Sequence, residues 1–233
     1  MILSVIGAMD SELKGLSELI NVEKTETVSG MEFIEGTLND IKIICCKSNV
    51  GKVNAAMCAQ TLIIKYHPDL ILNLGVVGGI NSQVKTGDII IASDAVQHDF
   101  DVSADSEYKK GQICNIDILK IPCDKSSSEK LFKISEEAVG KGHVFSGTVA
   151  TGDQFINSDK LADSISQEFN ALCVDMEFGS IAQTAYLNNI PFAAVKSVSD
   201  SGGDNAFESF ENFLEFSAQR AVEIVKNYIF YGK

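Results

Sequence analysis

Short apolar segments alternate with segments of helical spacing along this chain of 233 residues, and this alternation constrains its fold most strongly. Strands that alternate with helices predict a mostly parallel sheet covered by helices on both faces. We therefore predict one α/β domain over residues 1–233. The predicted strands are 2–7, 41–46, 70–74, 88–95, 172–175 and 191–200, with a hairpin around Ser29 and Gly30 and a strand within 143–156. The predicted helices are 11–20, 51–69 (ended by Pro68), 131–139, one from about Phe178 and one at the C-terminal end, and 103–128 is predicted to be a long loop.

Charge and cysteine content limit the partners and the compartment. The formal net charge of -13 argues against binding to nucleic acid or to an anionic membrane surface. The six cysteines show no CxxC spacing and mostly lie in apolar segments, which is typical of free thiols in a reducing cytoplasm. The first residues, MILSVIGAMDSE, predict a strand rather than a signal peptide, and no apolar segment is long enough to span a bilayer.

Acidic residues recur where the predicted strands end. Glu12 follows the first strand, and Asp200 ends the last one. Asp175 and Glu177 directly follow an apolar run. In α/β sheets ligands bind beyond the carboxyl ends of the strands, and basic residues are nearly absent there, Lys196 being the exception. The pattern predicts a site that handles hydroxyl groups and protons rather than one that binds phosphate.

Each acid also has a structural explanation. Glu12 could be a first-turn acid favoured by the helix dipole, and Asp200 could cap a turn before Gly202. For both residues the spacing alone supports either role. Asp175 and Glu177 could be the solvated start of a helix. However, two acids separated by one residue on an extended segment face the same way, which favours a shared site.

Several common site motifs do not occur in the sequence. Gly75, Gly78 and Gly79 do not match the GxGxxG pattern of dinucleotide sites, and such glycines more often allow a tight turn. Neither a Walker A sequence, HExxH nor GxSxG occurs. With three histidines in the chain, a metal cluster or a Ser-His triad has little support.

Taken together, six segments carry a resemblance to a known family. They are GAMDSE at 7–12, NVGKVNAA at 49–56, NLGVVGG at 73–79, TGDQFI at 151–156, VDMEFGSIA at 174–182 and KSVSD at 196–200. In this order the chain resembles, over nearly its whole length, the 5′-methylthioadenosine/S-adenosylhomocysteine nucleosidases of the purine nucleoside phosphorylase-like superfamily. The resemblance implies a three-layer αβα sandwich with a central mixed, mostly parallel sheet, and a homodimer. It also implies a cytoplasmic enzyme of methionine salvage that hydrolyses the N-glycosidic bond of an adenine nucleoside without a cofactor.

The resemblance assigns roles to the acids. Glycoside hydrolysis needs an acid for the leaving group and a base for water, and two carboxylates meet this need. By matching position, Asp200 would protonate adenine N7 and Ser199 would help to orient it. Glu12 would take a proton from water. Glu177 would bind the ribose hydroxyls through its carboxylate.

Further contacts with the nucleoside follow from the same resemblance. Met176 would pack against the sugar, Phe155 would stack on the purine, and the backbone of Ile156 would bind the purine edge. Phe210 would close over the base. The other predicted substrate-binding residues are Val50, Val76, Gly78, Val102, Asp175 and Lys196.

The sequence departs from the family pattern at three places. Val76 stands where many relatives have serine or another residue, and its side chain cannot hydrogen-bond. Lys196 stands where arginine is usual, and an ammonium is a point charge rather than a planar fork. The loop 103–115, expected to complete the active site of the partner subunit, has Asp105 and Cys114 where apolar groups are expected. The identity of the 5′ substituent therefore stays open.

Three other functions fit part of the pattern. A nucleoside phosphorylase of the same fold would need cationic groups near the first strand, where Glu12 would repel phosphate. A non-catalytic nucleoside-binding protein would keep Phe155 and Glu177 but would not need both Glu12 and Asp200. A hydrolase of another adenine nucleoside, such as an aminodeoxyfutalosine, also stays open.

Overall fold

One mixed sheet runs through the computed structural model, which describes residues 1–105, 107–114 and 116–231. Its strands are β1 (Ile2–Gly7), β2 (Asn21–Val28), β3 (Met31–Leu38), β4 (Ile41–Lys47), β5 (Leu70–Gly79), β6 (Ile89–Gln97), β7 (Ile121–Pro122), β8 (Val144–Thr151), β9 (Ala171–Asp175) and β10 (Phe192–Asp200). The order along the sheet is β10-β6-β8-β9-β5-β1-β4-β3-β2, with β7 beside β6.

The sheet closes partly on itself because β10 pairs with both β5 and β6. Five pairings are parallel, namely β1–β4, β1–β5, β5–β10, β6–β8 and β8–β9. The five other described pairings are antiparallel, partly because short turns join β2, β3 and β4 as hairpins. The predicted mixed sheet is confirmed, but its parallel and antiparallel pairings are equal in number.

Helices lie on both faces of this sheet. They are α1 (Asp10–Ser17), α2 (Lys52–Tyr66), α3 (Lys125–Val139), α4 (Asp159–Phe169), α5 (Phe178–Leu187) and α6 (Ala206–Tyr231). Leu3 and Val5 of β1 face the apolar cluster that contains side chains of α1, α3 and α6, whereas Ile6 faces the cluster with α2 and α5. This alternation confirms the predicted αβα layers. Within the described ranges, none of the helices has the length and apolar character needed to cross a membrane.

The predicted loop 103–128 is shorter than expected. The side chain of Asp124 accepts a hydrogen bond from Ser127 N, so this N-cap starts α3 six residues before the predicted position 131. Ahead of it, β7 pairs with β6. Ser106 and Asn115 of the predicted loop lie outside the described residues, as do residues 232 and 233.

Two other boundaries follow from backbone geometry. His67 adopts a left-handed conformation with φ of 49° directly before Pro68, so α2 ends ahead of the proline as predicted. Asn170 likewise ends α4 with φ of 47°. Helix α4 itself was not predicted, although its apolar side chains Ala162, Ile165 and Phe169 recur at helical spacing and are buried.

Strand β5 is longer than the predicted segment 70–74 and includes the glycines that were expected to form a turn. It continues to Gly79 because β10 pairs with it in parallel along its whole second half, up to the pair Asp200–Gly78. The tight-turn role predicted for Gly75 and Gly78 is therefore wrong. Both lie in an extended strand that runs directly into the candidate site.

Candidate active site

A cleft of about 770 Å³, including its open mouth, lies beyond the carboxyl ends of β1, β5, β9 and β10. All the predicted site residues except Val102 and Lys196 line it. The lining residues are Ala8, Met9, Glu12, Val50, Val76, Val77, Gly78, Gln154, Phe155, Ile156, Val174, Asp175, Met176, Glu177, Ser199, Asp200, Phe207 and Phe210. Across the described ranges, no three His, Cys, Asp or Glu side chains come together in a way that could hold a metal ion.

Glu12 is almost completely buried, with 3% exposure, and three backbone amides hold its carboxylate. Its Oε2 accepts hydrogen bonds from Ala8 N (2.6 Å) and Met9 N (3.0 Å), and its Oε1 accepts one from Val76 N (2.9 Å). The bond from Met9, the N-cap of α1, shows that Glu12 also serves the helix start, as the structural explanation proposed. Burial raises the pKa of Glu12, so its carboxylate accepts a proton more readily than an exposed one does.

Two glycines of β5 make room for the acids of the cleft. A Cβ atom at Gly75 would lie 2.5 Å from Glu12 Oε1, and one at Gly78 would lie 2.9 Å from Asp200 Oδ1. Both distances are shorter than a normal contact. Any side chain at these positions would therefore displace a carboxylate or distort the strand, so the close approach rather than a turn explains the glycines.

Asp200 ends β10 with both carboxylate oxygens oriented. Ser199 Oγ donates to Oδ2 (2.8 Å), and Gly202 N donates to Oδ1 (2.8 Å). Asp200 thus stabilises the predicted turn before Gly202 and also lines the cleft. Burial raises the pKa of Asp200, which favours the neutral carboxyl that can donate a proton.

Asp175 and Glu177 both line the cleft, but their carboxylates have different partners. Asp175 Oδ1 accepts from Thr151 Oγ1 (2.5 Å), and its Oδ2 accepts from Phe178 N (3.0 Å) and Lys196 Nζ (2.7 Å). Asp175 thus lies on the cleft wall while its carboxylate caps α5. β9 ends at Asp175 and Glu177 is the N-cap of α5, so the two acids share the cleft without lying on one extended segment.

Glu177 joins two distant segments of the chain. Its Oε1 accepts a hydrogen bond from Gly51 N (2.9 Å), the N-cap of α2. Burial, and next the negative charge of Asp175, raise the pKa of Glu177. The side chain lines the cleft next to Met176, where its carboxylate can accept hydrogen bonds from neighbouring hydroxyl groups.

Lys196 lies behind the cleft wall rather than on it, so its contact with substrate stays a prediction. Its side chain is 2% exposed, forms the 2.7 Å ion pair with Asp175, and lies 5.9 Å from the ring centroid of Phe178. Burial alone would lower the pKa of Lys196, but Asp175 and Glu177 outweigh burial and raise it, so the ammonium stays charged. Val102 also lies away from the cleft of its own chain.

Aromatic side chains of Phe155, Phe207 and Phe210 form another part of the cleft wall. The ring of Phe155 meets Phe210 edge to face at 5.7 Å between centroids and meets Phe207 at 6.1 Å. Phe207 was not predicted, although its spacing of three residues from Phe210 places both on one face of α6. Ala8 and Met9, which were also missed, contribute backbone donors, for which the sequence carries no side-chain signal.

Comparisons with known proteins agree with this geometry. The phosphorylase superfamily model matches residues 3–229. The 5′-methylthioadenosine/S-adenosylhomocysteine nucleosidase of Bacillus subtilis (strain 168) is 37% identical over 229 residues, covering 97% of this chain and 96% of that protein. The structure of the nucleosidase of the same name from Neisseria meningitidis, in complex with methylthio-immucillin-A, superposes with a TM-score of 0.93 at 30% identity, covering 98% of each chain.

A futalosine hydrolase mutant of Helicobacter pylori strain 26695 superposes with a TM-score of 0.92 at 28% identity, again covering 98% of each chain. Similar folds therefore occur in hydrolases that are named for different substrates. The match to the superfamily over almost the whole chain and the identity with the Bacillus subtilis protein are decisive for the family. The chain belongs to the 5′-methylthioadenosine/S-adenosylhomocysteine nucleosidases of the phosphorylase superfamily, as its six sequence segments predicted.

Proposed function

We propose that this chain hydrolyses the N-glycosidic bond of 5′-methylthioadenosine and S-adenosylhomocysteine, releasing adenine and the thioribose product. The observation that carries the proposal is the pair of buried carboxylates, Glu12 and Asp200, that line one cleft within a family of nucleosidases. One must supply a proton to the leaving group, and the other must remove a proton from water.

Asp200 is the proposed acid. In its neutral form it transfers a proton to adenine N7, and the bond from C1′ to N9 then breaks with its electron pair going to the purine. Adenine leaves as a neutral molecule and the sugar is left as an oxocarbenium ion. The raised pKa of Asp200 and its contacts with Ser199 and Gly202 support this role.

Glu12 is the proposed base. Water forms its bond to C1′ while Glu12 accepts the released proton. Glu12 then loses this proton to solvent and Asp200 takes one up, which restores the starting carboxylate and carboxylic acid. Three backbone amides fix the Glu12 carboxylate before the substrate arrives, so little reorganisation accompanies the reaction. Its negative charge also stabilises the cationic sugar ring as it forms.

The remaining lining residues fit the two halves of a nucleoside. Glu177 accepts hydrogen bonds from the ribose hydroxyls, and Met176 packs against the sugar. Phe155 stacks on the purine, with Phe207 and Phe210 closing the aromatic wall around it. The 3% exposed Ile156 contributes its backbone to the purine edge.

A second candidate is hydrolysis of another adenine nucleoside such as an aminodeoxyfutalosine. The similarity to the Helicobacter pylori futalosine hydrolase and the polar residues Asp105 and Cys114 in the loop 103–115 favour it. The reaction and the acids would be the same, and only the 5′ substituent would differ. A substrate panel with adenine release as readout separates the two.

We further infer a homodimer in the cytoplasm, acting in methionine salvage. Helix α2 exposes an apolar stripe of Val53 (69%), Met57 (41%) and Ile64 (63%), and Val50 before it is 46% exposed. A second copy of the chain that covers this stripe would bring its own loop 103–115 to the cleft of the first copy. This would explain why Val102, a predicted substrate-binding residue, does not line the cleft of its own chain. The six cysteines are all free, as is usual in a reducing compartment.

The first prediction is that adenine release needs no phosphate. The described residues that line the cleft include neither lysine, arginine nor histidine, so no cationic side chain among them would hold a phosphate anion, and water is the only nucleophile required. Rates measured in phosphate-free buffer and with added phosphate should be equal. A strict phosphate requirement with a ribose 1-phosphate product would show a phosphorylase instead.

The second prediction concerns Asp200→Asn. Asparagine keeps the contacts with the purine but delivers no proton, so we expect kcat to fall by roughly 10²–10⁴-fold. The wild-type rate should decline as pH rises through the raised pKa of Asp200, and this alkaline limb should vanish in the variant. An unchanged unfolding midpoint is the control. Near-normal turnover would leave Asp200 with only its turn role.

The third prediction concerns Gly75→Ala. The added Cβ would lie 2.5 Å from Glu12 Oε1, so the base is displaced and kcat should fall by roughly 10²-fold, as in Glu12→Gln. The double variant Gly75→Ala with Glu12→Gln should be no slower than Glu12→Gln alone, because both substitutions disable the same group, the carboxylate of Glu12. Losses that multiply in the double variant would show that Gly75 does not act through Glu12.

The fourth prediction is that Val53→Glu weakens the dimer and lowers activity. A charge at Val53, whose 69% exposed side chain lies in the first turn of α2, would have to be buried against the partner. Sedimentation velocity at several protein concentrations, beside kcat, measures both effects. Leu19→Glu, at a 41% exposed residue after α1, is the matched control and should change neither. A wild-type monomer that is active at assay concentration would refute the dimer.

A further inference from the structure

The first turn of α2 contacts two segments of the cleft at once. Gly51 N donates to Glu177 Oε1 (2.9 Å), and Lys52 N donates to Asp153 Oδ1 (2.8 Å). Glu177 belongs to the proposed sugar side, and Asp153 begins the loop that carries Phe155 on the purine side. Two successive amides therefore set the distance between the two halves of the cleft.

The side chain of Lys52 closes this arrangement into a ring. Lys52 Nζ donates to Asp99 Oδ1 (2.6 Å), and Asp99 Oδ2 accepts from Asp153 N (2.9 Å). Asp153 in turn accepts from Lys52 N through its own carboxylate. Three residues that follow β4, β6 and β8 are thus joined by three hydrogen bonds, and none of the three lines the cleft.

The ring has little freedom to relax. The side chains of Lys52 and Asp99 are each only 19% exposed, unlike those of an ordinary surface ion pair. Burial would raise the pKa of Asp99, but Lys52 and the amide of Asp153 outweigh it, so the pKa is lowered and the pair stays charged. Gly51 has φ of 100°, a conformation that residues with a Cβ rarely adopt, so the turn itself is specified.

We propose that Lys52 and Asp99 are positioning residues that hold the purine-binding loop in register with Glu177, and so fix the sugar of a bound nucleoside relative to its base. The proposal rests on the proposed function for the identity of the ligand. Loss of the ion pair should loosen the loop 152–156 against the α2 turn, because the bond from Lys52 N to Asp153 Oδ1 would then have to hold it without the ring, while each half of the cleft stays formed. A ligand that spans both halves should then bind less well, whereas a ligand of the purine half alone should not.

The experiment compares two ligands on the full chain, adenine and an uncleavable C-nucleoside analogue of adenosine. Lys52→Met and Asp99→Asn should each weaken binding of the analogue by roughly tenfold or more, because small misplacements of positioned groups are costly. Neither substitution should change the binding of adenine appreciably. Lys52→Arg should restore analogue binding. Lys47→Met is the matched control, since Lys47 forms a 2.7 Å pair with the 87% exposed side chain of Asp10 outside the cleft, and it should change neither ligand.

Two outcomes would overturn the proposal. Unchanged analogue binding in Lys52→Met and Asp99→Asn would show that the ring does not couple the two halves. Equal losses for adenine and the analogue, with a lowered unfolding midpoint, would show a role in stability alone. The binding comparison does not depend on turnover, so it can be separated from a test of the proposed function. A wild-type chain that binds both ligands but releases no adenine from 5′-methylthioadenosine would contradict the proposed function. The comparison of the two ligands would still decide whether Lys52 and Asp99 couple the two halves of the cleft.

Discussion

Burial of carboxylates at the strand ends is the constraint on which the rest of the site depends. A buried carboxylate is costly unless donors surround it, and each acid here takes its donors from a different part of the chain. Glu12 uses amides after β1 and within β5, Glu177 uses the N-terminus of α2, and Asp175 uses β8, β10 and the start of α5. Satisfying the acids therefore brings the loops together, and the cleft results from that assembly.

The sheet topology explains why Glu12 and Asp200 meet. Strands β1, β5 and β10 are parallel neighbours, so their carboxyl ends lie side by side although β1 and β10 are far apart in sequence. Glu12 follows β1 and Asp200 ends β10, with β5 between them. The middle strand can approach both acids only because Gly75 and Gly78 lack side chains. Parallel pairing and two glycines together bring the proposed acid and the proposed base to one cleft.

The sequence predicted those parts of the molecule that depend on local pattern. Apolar runs located the strands that position the acids, and the six family segments located most of the lining. Non-local effects were missed: β5 continues past residue 74 because β10 pairs with it, and the carboxylate of Asp175, a residue that lines the cleft, is bound by Thr151 and Lys196. Spacing along one segment carries no information about such partners. Phe207 is different, since its helical spacing to Phe210 could have been used.

The departure at Lys196 follows from the hydrogen bonds of Asp175. Thr151 already occupies Oδ1, and Oδ2 also accepts the Phe178 amide, so the cation needs to reach only one oxygen. An ammonium satisfies that geometry as a point charge with a single contact to Oδ2. Burial raises the pKa of Glu12 and of Glu177, and the charge of Lys196 opposes that rise, so it favours the carboxylate form of both acids. Carboxylates at these positions stabilise a cationic sugar ring and repel an anionic nucleophile, so one buried lysine favours water as the nucleophile.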